Sequence, residues 1–295
     1  MDAVTRPDRK ELADGLTVGD GLQEMLAGAL GALRGRSGAT SRPTADSVHR
    51  FRVGLRRLRS VLSAFADAFP EAERRALSDR LRAVAQRYGR SREWDVFLQY
   101  CVAPLRHSLP EDATLRQLDR LARQARRQAM PPGDTLKSSF AEIEAAIARA
   151  PWLHRPPPDR RDCWERPLRD FAVELLAARH RRLRKRVKTV DLADPVAFHQ
   201  LRIRVKKMRY TSELVKSLFD ESVAKKYLRR LVELQDLMGR MNDARVAGEL
   251  LRSLEPPPAA SALVAGWLAH EIAVGGEQFP ACARAFRRAD PFWEK

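Results

Sequence analysis

From residue 18 to residue 288 apolar positions recur at three- and four-residue intervals, and strand-like alternation is absent. Ala, Leu and Arg dominate these stretches while Pro and Gly cluster at their ends, which is the composition and punctuation of helices. The pattern predicts helices over 18–35, 45–68, 71–88, 93–108, 112–129 and 135–149. It predicts five more over 161–188, 195–218, 222–238, 242–254 and 259–288. Thr44 stands where an N-cap belongs, with Asp46 in the following turn, and Asp194-Pro195 supplies an N-cap and a first helical residue. The stretch 151–158, ending Pro156-Pro157-Pro158, is too proline-rich to be helical, and Pro256-Pro257-Pro258 breaks the chain before its last helix.

The pattern also repeats. His49 is followed at +3, +7, +8 and +10 by Arg52, Arg56, Arg57 and Arg59; His199 is followed at the same offsets by Arg202, Lys206, Lys207 and Arg209. Apolar residues occupy +2, +4, +6 and +9 in both copies, 150 residues apart. The same offset relates Leu26, Leu33, Arg34 and Arg36 to Leu176, Leu183, Arg184 and Arg186, and Leu81, Gly89, Arg90 and Val96 to Leu231, Gly239, Arg240 and Val246. An offset held across several helices and loops predicts an internal duplication. Each copy carries about four helices' worth of amphipathic chain, the material of a four-helix bundle. The expected architecture is therefore all-α: two pseudo-symmetric four-helix bundles, 16–150 and 160–293, within one unit 16–293 after a flexible N-terminus 1–15.

On a helix, positions 0, +3, +7 and +10 fall within about 80° of one another, a single narrow row. That row borders the stripe of Leu55, Leu58 and Leu62 and does not lie opposite it, so the cations flank an interhelical groove with their stems on the core. Arg rows ordinarily face solvent and pair with carboxylates. Here residues 47–59 and 195–209 contain no Asp or Glu, and like charges at i,i+4 cost a bare helix a few tenths of a kcal/mol each. An anionic ligand that offsets the repulsion explains the repeated row better than a solvated face. The candidate ligand contacts are His49, Arg52, Arg56, Arg57 and Arg59 with His199, Arg202, Lys206, Lys207 and Arg209. A second tier comprises Arg36, Arg90, Arg179, Arg182, Arg186, Lys225, Arg229 and Arg240. Among these, the run from Arg179 to Lys188 is as compatible with a solvated basic helix as with binding.

Charge strengthens this picture. The 295 residues carry 55 Lys and Arg against 38 Asp and Glu, a net +17, divided as 26 cations to 19 anions before residue 151 and 29 to 19 after it. The excess is spread over both halves, which excludes an isolated basic arm and points to a polyanion. Three scattered cysteines suggest neither a disulfide framework nor a thiolate metal site, and the six histidines form no HxxxH or HxxH pair. The first ten residues are charged where a signal peptide is apolar, and no apolar run approaches the ~18 residues of a membrane span. A cytoplasmic protein with no membrane partner, no metal and no cofactor is expected.

These residues resemble the CHAD family, an α-helical domain named for its histidines. The resemblance rests on the two His-led rows, the second ending in Tyr210, and on Gly89-x-x-Arg92-Glu93-x-Asp95-Val96. It rests also on Leu234-Gln235-Asp236-x-Met238-Gly239-x-x-Asn242-Asp243 and on the ending Phe286-Arg287-Arg288-x-x-Pro291-Phe292-Trp293. It covers about residues 16 to 293, with Glu93 where an Asp is usual and Tyr88 in place of a Leu. The resemblance implies a basic groove or pore that binds inorganic polyphosphate without catalysis, on polyphosphate granules in the cytoplasm. A partnership with a polyphosphate-metabolising enzyme is the alternative within this reading. Non-specific nucleic-acid binding is the rival outside it, disfavoured because aromatics are only 7% of the chain and Phe51, Phe65 and Phe69 sit on apolar faces. An enzyme is not expected. No phosphate-binding loop or nucleophile elbow occurs, and Glu142-Ile143-Glu144 lacks the Lys of the ExExK signature found in triphosphate-tunnel hydrolases joined to this family. Glu93, Asp95, Asp236 and Asp243 are expected to tie helices together.

Overall fold

The computed structural model describes residues 15–37, 44–131 and 135–294. Among them the chain is all-helical, with one isolated bridge, Thr17 to Pro167, as its only extended pairing. The first half forms α1 (Val18–Ser37), α2 (Ala45–Ala64), α3 (Glu71–Arg87), α4 (Gly89–Phe97), α5 (Ala103–Ser108), α6 (Ala113–Gln128) and α7 (Thr135–Ala148). The second forms α8 (Arg161–Glu165), α9 (Leu168–Thr189), α10 (Pro195–Val215), α11 (Glu221–Arg252) and α12 (Pro258–Arg287). The caps fall where the sequence puts them. Thr44 and Ser47 close a reciprocal capping box on α2, and the Asp194 carboxylate accepts from the Val196 amide with Pro195 opening α10.

Four of the predicted helices are split, interrupted or merged, each for a local reason. The predicted 161–188 helix breaks because Arg166, preceding Pro167, is driven into the extended region at φ −61, ψ 147. The predicted 93–108 helix begins earlier, at Gly89, and is interrupted by a wide π-type turn at Leu98–Val102 just before Pro104, which brings no amide donor to the helix. The predicted 222–238 and 242–254 helices are one. Gly239 remains helical, and Leu234, Leu237, Met238, Met241 and Ala244 carry one buried stripe across the join. In the first half the residue equivalent to Met238 is Tyr88. Its backbone leaves the helix at φ −100, ψ 8 while its ring packs edge-on to Phe51 at 5.6 Å and its hydroxyl meets Ser139 at 3.0 Å. The proline link is short 3-10 turns at Pro151–Leu153 and Pro158–Arg160, pinned by Trp152 against Phe69 at 5.0 Å.

Burial does not divide at residue 150. The larger cluster joins α1, α2, α3 and α7 to α9, α10, the first half of α11 and the end of α12. The smaller joins Trp94, Phe97, Leu115 and Leu118 to Ala244, Ala247, Leu250, Val264 and Leu268, so it too is built from both halves. Residues 1–14, which hold all but one residue of the expected N-terminal segment, lie outside the described residues. One expectation is corrected here: an 18-residue window of α12 reaches a mean hydropathy of 1.2, enough by length and composition alone for a membrane span. Leu, Val, Ile and Ala carry that average on either side of His270 and Glu271, so no unbroken apolar run announces it. The helix lies along α11, closely enough that a Cβ on Gly275 would stand 2.4 Å from Met241 Cγ.

Two glycines at helix crossings and joins give opposite expectations. A Cβ on Gly54 would meet the buried Leu33 at 2.5 Å and 2.8 Å. The over-packing of Gly54→Ala, about 1–3 kcal/mol, outweighs the ~1 kcal/mol of helix propensity it gains. Gly239 has open space around its missing Cβ, so Gly239→Ala is expected to stabilise by up to about 1 kcal/mol. Urea unfolding followed by circular dichroism distinguishes the two directions.

Candidate functional site

Helix α2 packs against α10 through Phe51, Leu55, Leu58 and Leu62 on one side and Leu201, Val205 and Met208 on the other, all buried within the larger core. Because each basic row borders its apolar stripe, this packing brings the two rows together. Arg52, Arg56, Arg202 and Lys206 are each half-buried at the junction, and their fields act on one another. Arg52 donates to the Ala85 carbonyl near the end of α3, and the Arg56 guanidinium lies 4.9 Å from the centre of the Tyr210 ring. Two carboxylates face the cluster. Glu93 of α4 acts on Arg52, while Asp243 of α11 acts on Arg202 and Lys206. These acids are themselves 150 residues apart, as are the two arginines they oppose. Arg92 adds a fifth cation beside His49 and Arg52, so five cations stand against two acids.

The electrostatics follow from this crowding. Burial first, then Arg202, Arg56 and Arg52, push the Lys206 ammonium down to about 8 against the pull of Asp243. Burial, chiefly, lowers Arg52 and Arg202 as well, with Arg56 adding to both. The His49 imidazole is lowered by burial and then by Arg92 and Arg56, which leaves it neutral at pH 7. Both His49 and its partner in the repeat, His199, keep an exposed edge on their helices. The Nε of Arg202 is shielded from solvent with no hydrogen-bond partner, and so is that of Arg59. The junction is thus a concentration of donors and positive charge that its own carboxylates do not neutralise.

The remaining predicted residues separate into groups. Arg59 and Lys207 continue the rows into a second cluster where Arg179, Arg204 and Arg74 act on Lys207, and Arg82 and Asp79 act on Arg59. Arg179 is structural in its contacts, donating to Ser63 of α2 and to the Lys207 carbonyl and Thr211 of α10; burial lowers it to about 10. Arg209 pairs with Glu213 at 2.9 Å beside the Tyr210 ring. Arg57 is partly buried on α2, while Arg182 and Arg186 stay on α9, the first exposed and the second half-buried. Arg90 pairs with Glu93 at 3.4 Å and lies over Trp94, Lys225 pairs with Glu221 at 2.8 Å, and Arg229 reaches Glu233 at 3.9 Å. Arg240 donates to Gln278 at 3.4 Å, on the α12 side of α11. The side chain of Arg36 lies outside the described residues.

Among the acids, Asp95 ties α4 to Arg126 of α6 at 3.0 Å, and Asp236 is exposed on α11. Sequence reasoning passed over Arg92, Arg74, Arg82 and Arg204 as ligand contacts. The repeat is a poor guide to Arg92, whose equivalent is the uncharged Asn242, and to Arg204, whose equivalent is Gly54. Among the described residues no three His, Cys, Asp or Glu side chains gather closely enough to hold a metal ion. His180 is buried with its Nδ1 2.9 Å from the Tyr227 hydroxyl, and burial and Arg184 lower it to about 4.

Comparison with known proteins extends these observations. The crystal structure of the CHAD domain from the plant Ricinus communis superposes with a TM-score of 0.78 at 24% identity, covering 98% of each chain. PptA from Streptomyces chartreusis superposes with a TM-score of 0.63 at 17% identity, covering 95% of this chain and all of that one. Both likenesses are of fold. No protein of curated function matches. The CHAD domain family model matches residues 24–252, a stretch that holds both His-led helices and the two helices facing them with Glu93 and Asp243, and the chain belongs to that family.

Proposed function

We propose that this protein binds inorganic polyphosphate along the junction of α2 and α10 and leaves it intact. The observation that carries the reading is the convergence of Arg52, Arg56, Arg202 and Lys206, contributed by two copies of one sequence pattern, into a half-buried cluster of uncompensated cations. Polyphosphate is a linear anion charged at every unit and without bases. Recognising it needs cations spaced along a track, and guanidinium forks match phosphate oxygens in pairs. The continuation through Arg59, Lys207, Arg204 and Arg74 lengthens the track beyond one phosphate cluster. On this reading the two repeats form pseudo-symmetric four-helix bundles that meet at the basic groove, and each supplies one row. Hydrolysis needs a nucleophile activator and usually carboxylates grouped to hold metal ions. Glu93 and Asp243 instead each face an arginine.

Binding is expected to be length-dependent and to weaken steeply with salt, by release of condensed counterions as for other polyelectrolytes. Replacing Arg52, Arg56, Arg202 and Lys206 together by Glu should abolish it with helical content unchanged. Replacing Arg120, Arg123, Arg126 and Arg127 of α6 should weaken it far less. Equal losses in both variants, or equal affinity for pyrophosphate and a long chain, would sink the track. Stronger binding of single-stranded DNA in the same titration would move the reading to nucleic acid.

The Lys206 ammonium gives the site a pH signature. With its pKa down to about 8, it is charged below that pH and loses its charge above it. A bound polyanion favours the charged form, so binding should take up protons near pH 8 and affinity should fall between pH 7 and 9. Lys206→Arg should flatten that part of the profile, since guanidinium stays charged. A Lys206→Arg profile identical to wild type assigns the dependence elsewhere.

In cells the protein is expected to collect in the cytoplasm on polyphosphate granules. A fluorescent fusion should form foci only where polyphosphate accumulates, and the four-Glu variant should stay diffuse. Incubated with polyphosphate and Mg²⁺ or Mn²⁺, the purified protein should release no phosphate above the background rate. Foci that persist in cells unable to make polyphosphate would point to a protein or nucleic-acid partner.

A further inference from the structure

A second group of arginines lies apart from this junction. Arg184 of α9 and Arg284, Arg287 and Arg288 at the end of α12 line a cavity of about 320 Å³. The four come from segments 100 residues apart, and none belongs to the two basic rows. Their guanidiniums make no ion pair among the described residues. The wall behind them is rigid. His180, one turn before Arg184, and Phe286, which precedes Arg287, pack edge-on at 5.6 Å, with Trp293 5.5 Å from His180 and 5.2 Å from Tyr227. Arg179, the α9 side chain that reaches α2 and α10, lies five residues from Arg184, about 140° around the helix. The cavity therefore opens on a different face from the track.

We propose that Arg184, Arg284, Arg287 and Arg288 form a separate site for a compact oligophosphate group of about three phosphoryl units. Four arginines around one cavity form its wall largely with their stems, and their guanidinium forks at its rim can bind several phosphoryl oxygens at once. A single phosphate, with a charge of about −2 at most, leaves half of them uncompensated. The space, that of roughly ten waters, matches a short oligophosphate. The α12 carbonyl end adds partial negative charge that favours arginines there but does not neutralise them. A free short oligophosphate and the end of a long polyphosphate share this chemistry, and the second source rests on the polyphosphate reading above.

The test is calorimetric titration of the full chain with sodium tripolyphosphate. Wild type and the four-Glu junction variant should both show a one-to-one site. The exposed pair Arg284→Gln and Arg288→Gln should weaken that site by about tenfold or more, the worth of one charge-assisted hydrogen bond. The junction variant isolates this site from the track: loss of long-chain binding there with tripolyphosphate binding kept supports the pocket whatever the track's fate. Phenylglyoxal modification mapped by mass spectrometry needs no variant, and tripolyphosphate should protect Arg184, Arg284, Arg287 and Arg288 in wild type. Long polyphosphate with free or chemically capped ends assigns the source. Sensitivity of only the free-ended polymer to the Gln pair indicates chain ends, and sensitivity of neither indicates free oligophosphate. No tripolyphosphate binding, no protection of these four arginines, or an equal loss with Arg120→Gln and Arg127→Gln on α6 overturns the proposal.

Discussion

Cations that repel one another are held together at the meeting of α2 and α10 because the apolar stripes beneath them are packed into a common core. Phe51, Leu55 and Leu58 from one helix and Leu201, Val205 and Met208 from the other are almost wholly removed from water, each worth about 1.5–3 kcal/mol of burial. Screening by water and salt and the two facing acids reduce the repulsion between the half-buried charges, and the seam of six buried side chains holds them in place. The acids set the balance. Glu93 and Asp243 each ease one arginine without neutralising the group, and the lowered pKa of Lys206 reflects first its burial and then its like-charged neighbours. Sign matters here. A lysine whose folded pKa lies below its unfolded value destabilises the fold at neutral pH, and the cost is relieved as pH rises from about 8 toward the ordinary lysine range. An anion in the junction relieves the same cost at neutral pH.

Much of this was legible in the sequence because the relevant signals are local and periodic. The caps at Thr44 and Asp194, the apolar stripes and the two His-led rows depend on residues within a turn or two of each other, and the helices follow. The opposition of Arg52 to Glu93 and of Arg202 to Asp243 was half-visible, since the 150-residue offset relates both members of each pair. What the pattern did not carry is the third dimension between elements. Arg179 has the spacing of a ligand-facing row, yet its guanidinium reaches Ser63 and Thr211 across two helices. Arg92 joins the site because α4 crosses α2, which no spacing within α4 reveals. Arg284, Arg287 and Arg288 share a helical spacing at the end of α12, but no period joins them to Arg184, 100 residues earlier.

Breaks were harder to read than helices. Gly239 and Gly89 occupy equivalent positions, but the chain continues as helix through one and separates two helices at the other. The difference lies in the residue before each. Met238 is a flexible side chain that stays in the buried stripe, whereas the larger Tyr88 finds partners in Phe51 and Ser139 and takes its backbone out of the helix with it. A repeat thus preserves pattern without preserving every local conformation.

The smaller buried cluster carries a consequence for synthesis. Its first part, from Trp94 to Ala122, leaves the ribosome well before Ala244 to Leu268, which cover it. At about 5–20 residues per second, the apolar face of α4 and α6 waits on the order of ten seconds for its other half. The nascent first repeat is therefore sticky in a way the finished molecule is not. The arginines along α6 set positive charge beside that waiting apolar face, which disfavours its self-association until α11 and α12 arrive.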